Sequence, residues 1–275
     1  MLEKTETKNI GLRGIKVADT KISLVDGDNG ALYYRGYNIV DLAKNSTFEE
    51  TAYLLLNGEL PTRKQLVDFA SQLAAERDVP DAIVQSMSVR PANASPMSVI
   101  QSTVTMLADY DPDLRDESRE ANHRRAVQLI AKMPAMIAYW ERIRKKRGII
   151  KPDPNLSHAA NFLYMISGRK PGARIASVLD TCLVLHADHT FNASTFAARE
   201  VASTRAHMFA AVSAAVGALS GELHGGANER VMEMLMQIKE PGRVDAWVRN
   251  ELQSGRLIFG MGHAVYRTND PRALV

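Results

Sequence analysis

From Ser46 onward the apolar residues recur every three or four positions, and the chain reads as one helical stripe after another. Ser46-Thr47-Phe48-Glu49 has capping-box spacing, with Tyr53, Leu54 and Leu56 on the apolar face that follows and Gly58 and Pro61 as stop signals. Thr62 and Gln65 repeat the device ahead of Leu66, Phe69 and Leu73. Ser95-Pro96 puts a proline at a first helical position, with Val99, Ile100 and Leu107 on later turns. A long pattern over residues 118–146 contains Pro134, which is expected to kink or divide it. Further stripes cover residues 156–166, 173–185, 193–204, 206–219 and 227–238. The one strand-like exception is Lys21-Ile22-Ser23-Leu24-Val25 and Ala31-Leu32-Tyr33-Tyr34-Arg35 around Asp26-Gly27-Asp28-Asn29-Gly30, which reads as a hairpin. The expected fold is all-α, multi-helical, with a small N-terminal β-hairpin.

Two of the stripes are rich in small residues: Ala197, Ala198 and Ala202, then Ala206, Ala210, Ala211, Ala214, Ala215, Gly217 and Ala218. Small side chains let helix axes approach closely, as in a buried bundle or a subunit interface, although helix propensity alone also selects alanine. The chain shows no internal repeat or low-complexity tract. A composition shift near Ser220-Gly221-Glu222 divides it into residues 1–221 and 222–275.

Composition narrows the function classes. The 275 residues carry 34 Lys plus Arg against 31 Asp plus Glu, a net +3 that is too small a surplus to argue for nucleic acid. The dense basic run Arg142-Ile143-Arg144-Lys145-Lys146-Arg147 ends a helical pattern before Gly148, where cations complement a helix C-terminus. No apolar stretch is long enough to span a membrane, and Met1-Leu2-Glu3-Lys4-Thr5-Glu6-Thr7-Lys8 resembles neither a signal nor a transit peptide. A single cysteine, Cys182, lies in the run Thr181-Cys182-Leu183-Val184-Leu185, where core packing is its expected job. A reducing, cytoplasmic setting is expected.

Candidate chemistry gathers around three of the seven histidines. His189 precedes Thr190-Phe191-Asn192, His224 sits in Leu223-His224-Gly225-Gly226, and His263 lies in Gly260-Met261-Gly262-His263. Each stands beside a helix break, where side chains reach a ligand. His224 heads a helix, whose positive end favours a neutral ring able to donate to a developing oxyanion. His263 suits polarisation of a carbonyl, and Arg272 offers a planar fork for a carboxylate. His189 and Asn192 add uncharged donors for a second carboxylate or a hydroxyl. His186 and His189 also have His-x-x-His spacing, but a lone pair is weak evidence, so no metal is expected and His186 reads as a packed helix residue. His123, His158 and His207 take structural roles. Gly260 and Gly262 lack the rest of a phosphate loop, and no Gly-x-Ser-x-Gly elbow occurs, which removes nucleotide and serine hydrolysis.

Together, His186-Ala187-Asp188-His189 with Asn192-Ala193-Ser194-Thr195, Leu223-His224-Gly225-Gly226-Ala227-Asn228-Glu229, and Gly260-Met261-Gly262-His263-Ala264-Val265-Tyr266-Arg267 with Asp270-Pro271-Arg272 strongly resemble the citrate synthase family. The likeness extends upstream through Tyr34-Arg35-Gly36-Tyr37 and Leu156-Ser157-His158-Ala159-Ala160. It implies an all-α homodimer whose large domain, here residues 1–221, and small domain, begun at residues 222–275, close over oxaloacetate before acetyl-CoA is used. It further implies that His189 binds oxaloacetate, His263 its carbonyl and Arg272 a carboxylate, while His224 donates to the enol of acetyl-CoA. Leu257, Ile258, Gly260, Met261 and Ala264 would line the CoA site, with Arg267 near the phosphates. Acetyl-CoA would be a co-substrate, with no tightly bound cofactor.

Three departures stand out. Thr190 replaces a common Gly or Glu, and Ser95-Pro96-Met97 replaces His-Pro-Met, where Ser95 is still expected to cap. In the family a catalytic aspartate and two substrate-binding arginines follow the Asp-Pro-Arg motif, whereas only Ala273, Leu274 and Val275 remain here. The expectation is therefore a C-terminally truncated chain of low activity on its own, since a missing general base costs roughly a hundred- to ten-thousand-fold. Val231, Met232, Leu235 and Met236 would then form an apolar face awaiting a cover. Two other readings stay open: a 2-methylcitrate synthase using propionyl-CoA, and a non-catalytic dimerising module that binds oxaloacetate.

Overall fold

A computed structural model of the chain describes residues 17–222, 224–263 and 265–275. The signal-peptide question at residues 1–8 and the CoA expectation at Ala264 lie outside the described residues. The hairpin forms as β1 (Ser23–Asp26) and β2 (Ala31–Tyr34), antiparallel with Ser23 opposite Tyr34 and Asp26 opposite Ala31. A short β3 (Tyr37–Asn38), which the hairpin pattern did not reveal, pairs with β2. Alternation sorts the faces: Leu32 and Tyr34 are buried while Leu24 faces solvent.

Twelve α-helices follow among the described residues: α1 (Ile39–Asn45), α2 (Phe48–Asn57), α3 (Arg63–Ala75), α4 (Asp81–Ser88), α5 (Pro96–Met106), α6 (Arg119–Arg144), α7 (His158–Ser167), α8 (Ala173–His186), α9 (Ala193–Ser203), α10 (Met208–Leu219), α11 (Gly226–Ile238) and α12 (Val244–Gln253). The all-α expectation holds. Helices α1, α4 and α12 are additions to the stripes listed above.

Several caps differ from the sequence reading. Thr47, not Ser46, caps α2: its side chain accepts from Glu50 N while Glu50 reaches back to Thr47 N. Glu49 is thereby freed to turn inward, where its Oε1 accepts from His158 N at 2.8 Å. Thr62 and Gln65 form the expected box on α3. Ser95 precedes α5 but makes no side-chain cap bond; Pro96 supplies the start signal by itself. Helix α6 runs unbroken through Pro134, whose ring helps line an apolar cavity of about 460 Å³ with Leu129, Met133, Ile137, Phe162 and Met208. The basic run serves the end of α6: the Arg142 guanidinium donates to the carbonyls of Gly148 and Ile166, and Arg144 and Lys145 pair with Glu141.

Two cores matter for the site. The larger packs α4, α5, α6, α7 and α10 around Trp140, Tyr139, Met136 and Phe209. The smaller joins the sheet to α1, α2 and α8 through Leu32, Tyr34, Ile39, Leu42, Leu54, Val184 and Leu185. Burial of a Leu- or Phe-sized side chain contributes roughly 1.5–3 kcal/mol, so this second core fixes the C-terminal end of α8 against the sheet. That is where the first candidate histidine begins. The apolar run on α8 splits between faces: Val184 and Leu185 are buried, whereas Ile175, Val178 and Cys182 are exposed. The core role expected of Cys182 is corrected by this helical phase, and His186, four residues on, is exposed for the same reason, its Nδ1 bonded to the Cys182 carbonyl at 2.7 Å. His158, by contrast, is buried as expected.

Candidate active site

Between α8 and α9 the chain turns sharply, and the sheet holds the turn. Tyr34, wholly buried on β2, donates its hydroxyl to the Asp188 carbonyl at 2.9 Å and accepts from Asp188 N at 3.1 Å. Ser23 on β1 donates to the Asp188 carboxylate and accepts from Thr190 N. Thr190 has φ 56°, a left-handed conformation that a β-branched residue resists. His189 thus projects from a backbone fastened on both sides. The sequence assigns no contact to Ser23, Tyr34 or Asp188, because an alternating hairpin gives no hint of which distant loop its ends will grip.

His189 meets the glycine loop across a short gap. Its Nε2 lies 3.0 Å from the Tyr266 hydroxyl, and its ring centroid is 5.6 Å from that of His263. Burial pushes His189 down to about 4, with the positive charge of Arg272 and the His263 ring adding to the effect. It is a neutral imidazole at pH 7. The Nδ1 of His263 accepts from the backbone N–H groups of Val265 at 3.0 Å and Tyr266 at 3.2 Å. An acceptor at Nδ1 leaves the ring proton of the neutral form on Nε2, so His263 offers one directed donor.

Arg272 stands in the 3₁₀ turn Pro271–Leu274, half-buried, with its Nε and Nη2 on the carboxylate of Asp270. Asp270 also accepts from Arg272 N, and these bonds hold its carboxyl below the usual range despite burial. The fork expected to await a carboxylate is therefore already engaged on one edge.

Asn192 caps α9: its Oδ1 accepts from Thr195 N at 2.9 Å, which leaves the amide NH₂ as the group available to donate. In the first turn of α9, Ser194 Oγ lies 2.8 Å from Nε2 of His224. His224 sits two residues before α11, so the start of α9 ties the segments of His189, Asn192 and His224 together. The CoA-side residues are more open. Leu257 and Met261 are exposed, Ile258 is half-buried, and Gly260 turns with φ 84° against the Val231 side chain. Arg267 is exposed and paired with Asp28 at 2.9 Å.

The glycine loop is seated on the hairpin turn. Arg267 N donates to the Gly27 carbonyl, and a Cβ on Gly27 would fall 2.3 Å from the Val265 carbonyl oxygen. A Cβ on Gly30, with φ 64°, would fall 2.7 Å from the Asn269 carbonyl oxygen. Glycine is required at both positions by this contact.

The chain is similar to known proteins in sequence and fold. The family model described as citrate synthase, C-terminal domain, matches residues 11–275. The citrate synthase of Haloferax volcanii is 43% identical over 270 residues, covering 96% of this chain and 71% of that protein. A 2-methylcitrate synthase of Mycobacterium tuberculosis is 40% identical over 264 residues, covering 95% of this chain and 66% of that protein. Among solved structures, the ternary complex of Thermoplasma acidophilum citrate synthase with carboxymethyl coenzyme A and oxaloacetate superposes with TM-score 0.88 at 30% identity, covering 95% of this chain and 69% of that one. The three histidine segments lie within the matched region, and the chain belongs to the citrate synthase family of acyltransferases.

Proposed function

We propose that the chain serves the condensation of acetyl-CoA with oxaloacetate, followed by thioester hydrolysis to citrate and CoA. The observation that carries this reading is the convergence of two histidines and Arg272 around Tyr266. A 2-oxo dicarboxylate needs a donor at its carbonyl and cationic or neutral donors at its carboxylates. His263 provides the first through Nε2–H; Arg272, His189 and the Asn192 amide provide the others. His189 is neutral, so it binds as a hydrogen-bond donor and leaves the charge balance to Arg272. Hydrogen bonding by His263 draws electron density from the carbonyl carbon and prepares it for attack. His224, held by Ser194 near a helix N-terminus, donates to the enol oxygen of the acyl thioester. Exposed Leu257 and Met261, with Ile258 and Gly260, supply backbone and apolar contacts for CoA, and Arg267 exchanges its exposed Asp28 pair for phosphate, a weak surface interaction to give up.

The same reading places a large domain at residues 1–221, a small domain from residue 222, and two chains in a dimer in the cytoplasm. The dimer is supported by α9, which buries none of its own side chains. Among the described residues no helix is long and apolar enough to cross a membrane. The second reading replaces acetyl-CoA by propionyl-CoA. The Mycobacterium tuberculosis relative, nearly as similar as the citrate synthases, favours keeping it.

Titration calorimetry with oxaloacetate tests the first reading. Wild type is expected to bind, Arg272→Leu at least ten-fold more weakly, as loss of a charge-assisted bond of roughly 1.5–3 kcal/mol requires, and His263→Ala about two- to ten-fold more weakly, as loss of a neutral bond of roughly 0.5–1.5 kcal/mol requires. Undetectable heat at millimolar oxaloacetate, or equal affinity in all three proteins, would overturn it. Thiol release with the two acyl-CoAs then assigns the co-substrate; a propionyl preference selects the second reading, because one methylene is worth roughly 1–3 kcal/mol.

A further inference from the structure

Tyr266 touches both histidines of the loop site. The residue is 5% exposed, and its ring centroid lies 4.7 Å from His263 and 5.6 Å from His189. Burial raises the phenol further above its ordinary range, so it carries its proton at neutral pH. That proton needs an acceptor, and within hydrogen-bond distance among the described residues stands Nε2 of His189. A phenol donating to Nε2 leaves the single ring proton of neutral His189 on Nδ1. The reverse tautomer would aim Nε2–H at an oxygen while the phenol O–H, buried beside it, lost this acceptor.

We propose that Tyr266 is a positioning residue that sets both histidine tautomers: its hydroxyl holds His189 as the Nδ1–H form, and its backbone N–H helps hold His263 as the Nε2–H form. The two rings are thereby pre-set as donors of opposite sense, one through Nδ1 and one through Nε2, before any ligand arrives. A bound 2-oxo acid then meets two donors without proton exchange, which is the benefit of preorganisation. The inference rests on the reading that His189 and His263 contact this substrate, and it adds the residue that orients them. Tyr266 does not touch the reacting atoms in this assignment.

The test is long-range ¹H–¹⁵N correlation NMR on protein labelled at histidine, with His189 assigned by its absence in His189→Ala. In the wild type His189 is expected as Nδ1–H with an unprotonated Nε2. In Tyr266→Phe it is expected to shift to Nε2–H or a mixture, while His207, whose Nδ1 caps α10 by accepting from Ala210 N, keeps its signal and reports an intact fold. Oxaloacetate affinity should fall three- to thirty-fold in Tyr266→Phe. Wild-type His189 in the Nε2–H form overturns the proposal even if the variant does not fold, as does an unchanged tautomer in the variant. If His189→Ala binds oxaloacetate like the wild type, the substrate reading fails separately, whatever Tyr266 does to the tautomer.

Discussion

At the residue scale, Thr190 is a position where local preference and native geometry disagree, the one β-branched residue among the described non-glycine residues with positive φ. A left-handed conformation costs an ordinary L-residue roughly 1–2 kcal/mol, and the bonds from Thr190 N to Asp188 and Ser23 hold it there. Thr190→Gly should relieve that cost while adding unfolded-state entropy, for a net gain of about 0.5–1 kcal/mol in urea unfolding. A variant no more stable than the wild type would show that the turn is unstrained. The sequence revealed Thr190 as a departure from a usual Gly or Glu without showing the φ value that makes it costly. In the same way the three histidines were legible as chemistry because glycines and helix ends surround them. The engagement of Arg272 by Asp270 was not, since two residues apart on a turn they read equally well as independent charges.

At the scale of elements, strong start signals and apolar stripes made most helices legible. Helices α1 and α4 escaped because at 7 and 8 residues they are too short for a stripe to repeat convincingly, whereas α12, as long as α2, has no side-chain cap to mark its start. The capping box of α2 lies one residue later than its local spacing suggests, with Glu50 on Thr47 and Glu49 turned inward to His158, a tertiary contact absent from the local code. Helix α9 bears on assembly. It packs against α10 yet has no buried residue, and Phe196 remains 37% exposed. A second copy covering this face should give a sedimenting species of twice the 30.3 kDa chain mass, and Phe196→Asp should return it to one. A wild type sedimenting as a single chain would sink this assignment.

For the whole molecule, pH separates the contributions of its buried groups. Burial holds His158 and His189 at about 4, below an ordinary histidine. Between about 4 and 6.5 the unfolded chain binds more protons at these two sites, so stability falls as pH drops through that window. Asp180 works in the opposite direction. Burial and the neighbouring Glu49 push it up to about 6, although its carboxylate accepts from Phe48 N at 3.1 Å. Its penalty is complete at pH 7 and vanishes as pH falls toward 4. Asp180→Asn keeps an acceptor for Phe48 and should raise stability at pH 7 by on the order of 1 kcal/mol, allowing for solvent screening, with no gain near pH 4. Thermal melts at the two pH values check the sign; a variant that melts lower at pH 7 contradicts it.

The seating of the glycine loop on the hairpin turn also bears on the order in which the molecule takes shape. Gly27 and Val265 come from nearly opposite ends of the chain, so their closure carries the largest loop entropy and follows the local helix contacts. Amide protons of the hairpin turn and of the loop around Tyr266 would therefore exchange with solvent together, as one unit, ahead of those in the Trp140 core. The turn between β1 and β2 acts as a latch, and the histidines reach their working distance when it shuts.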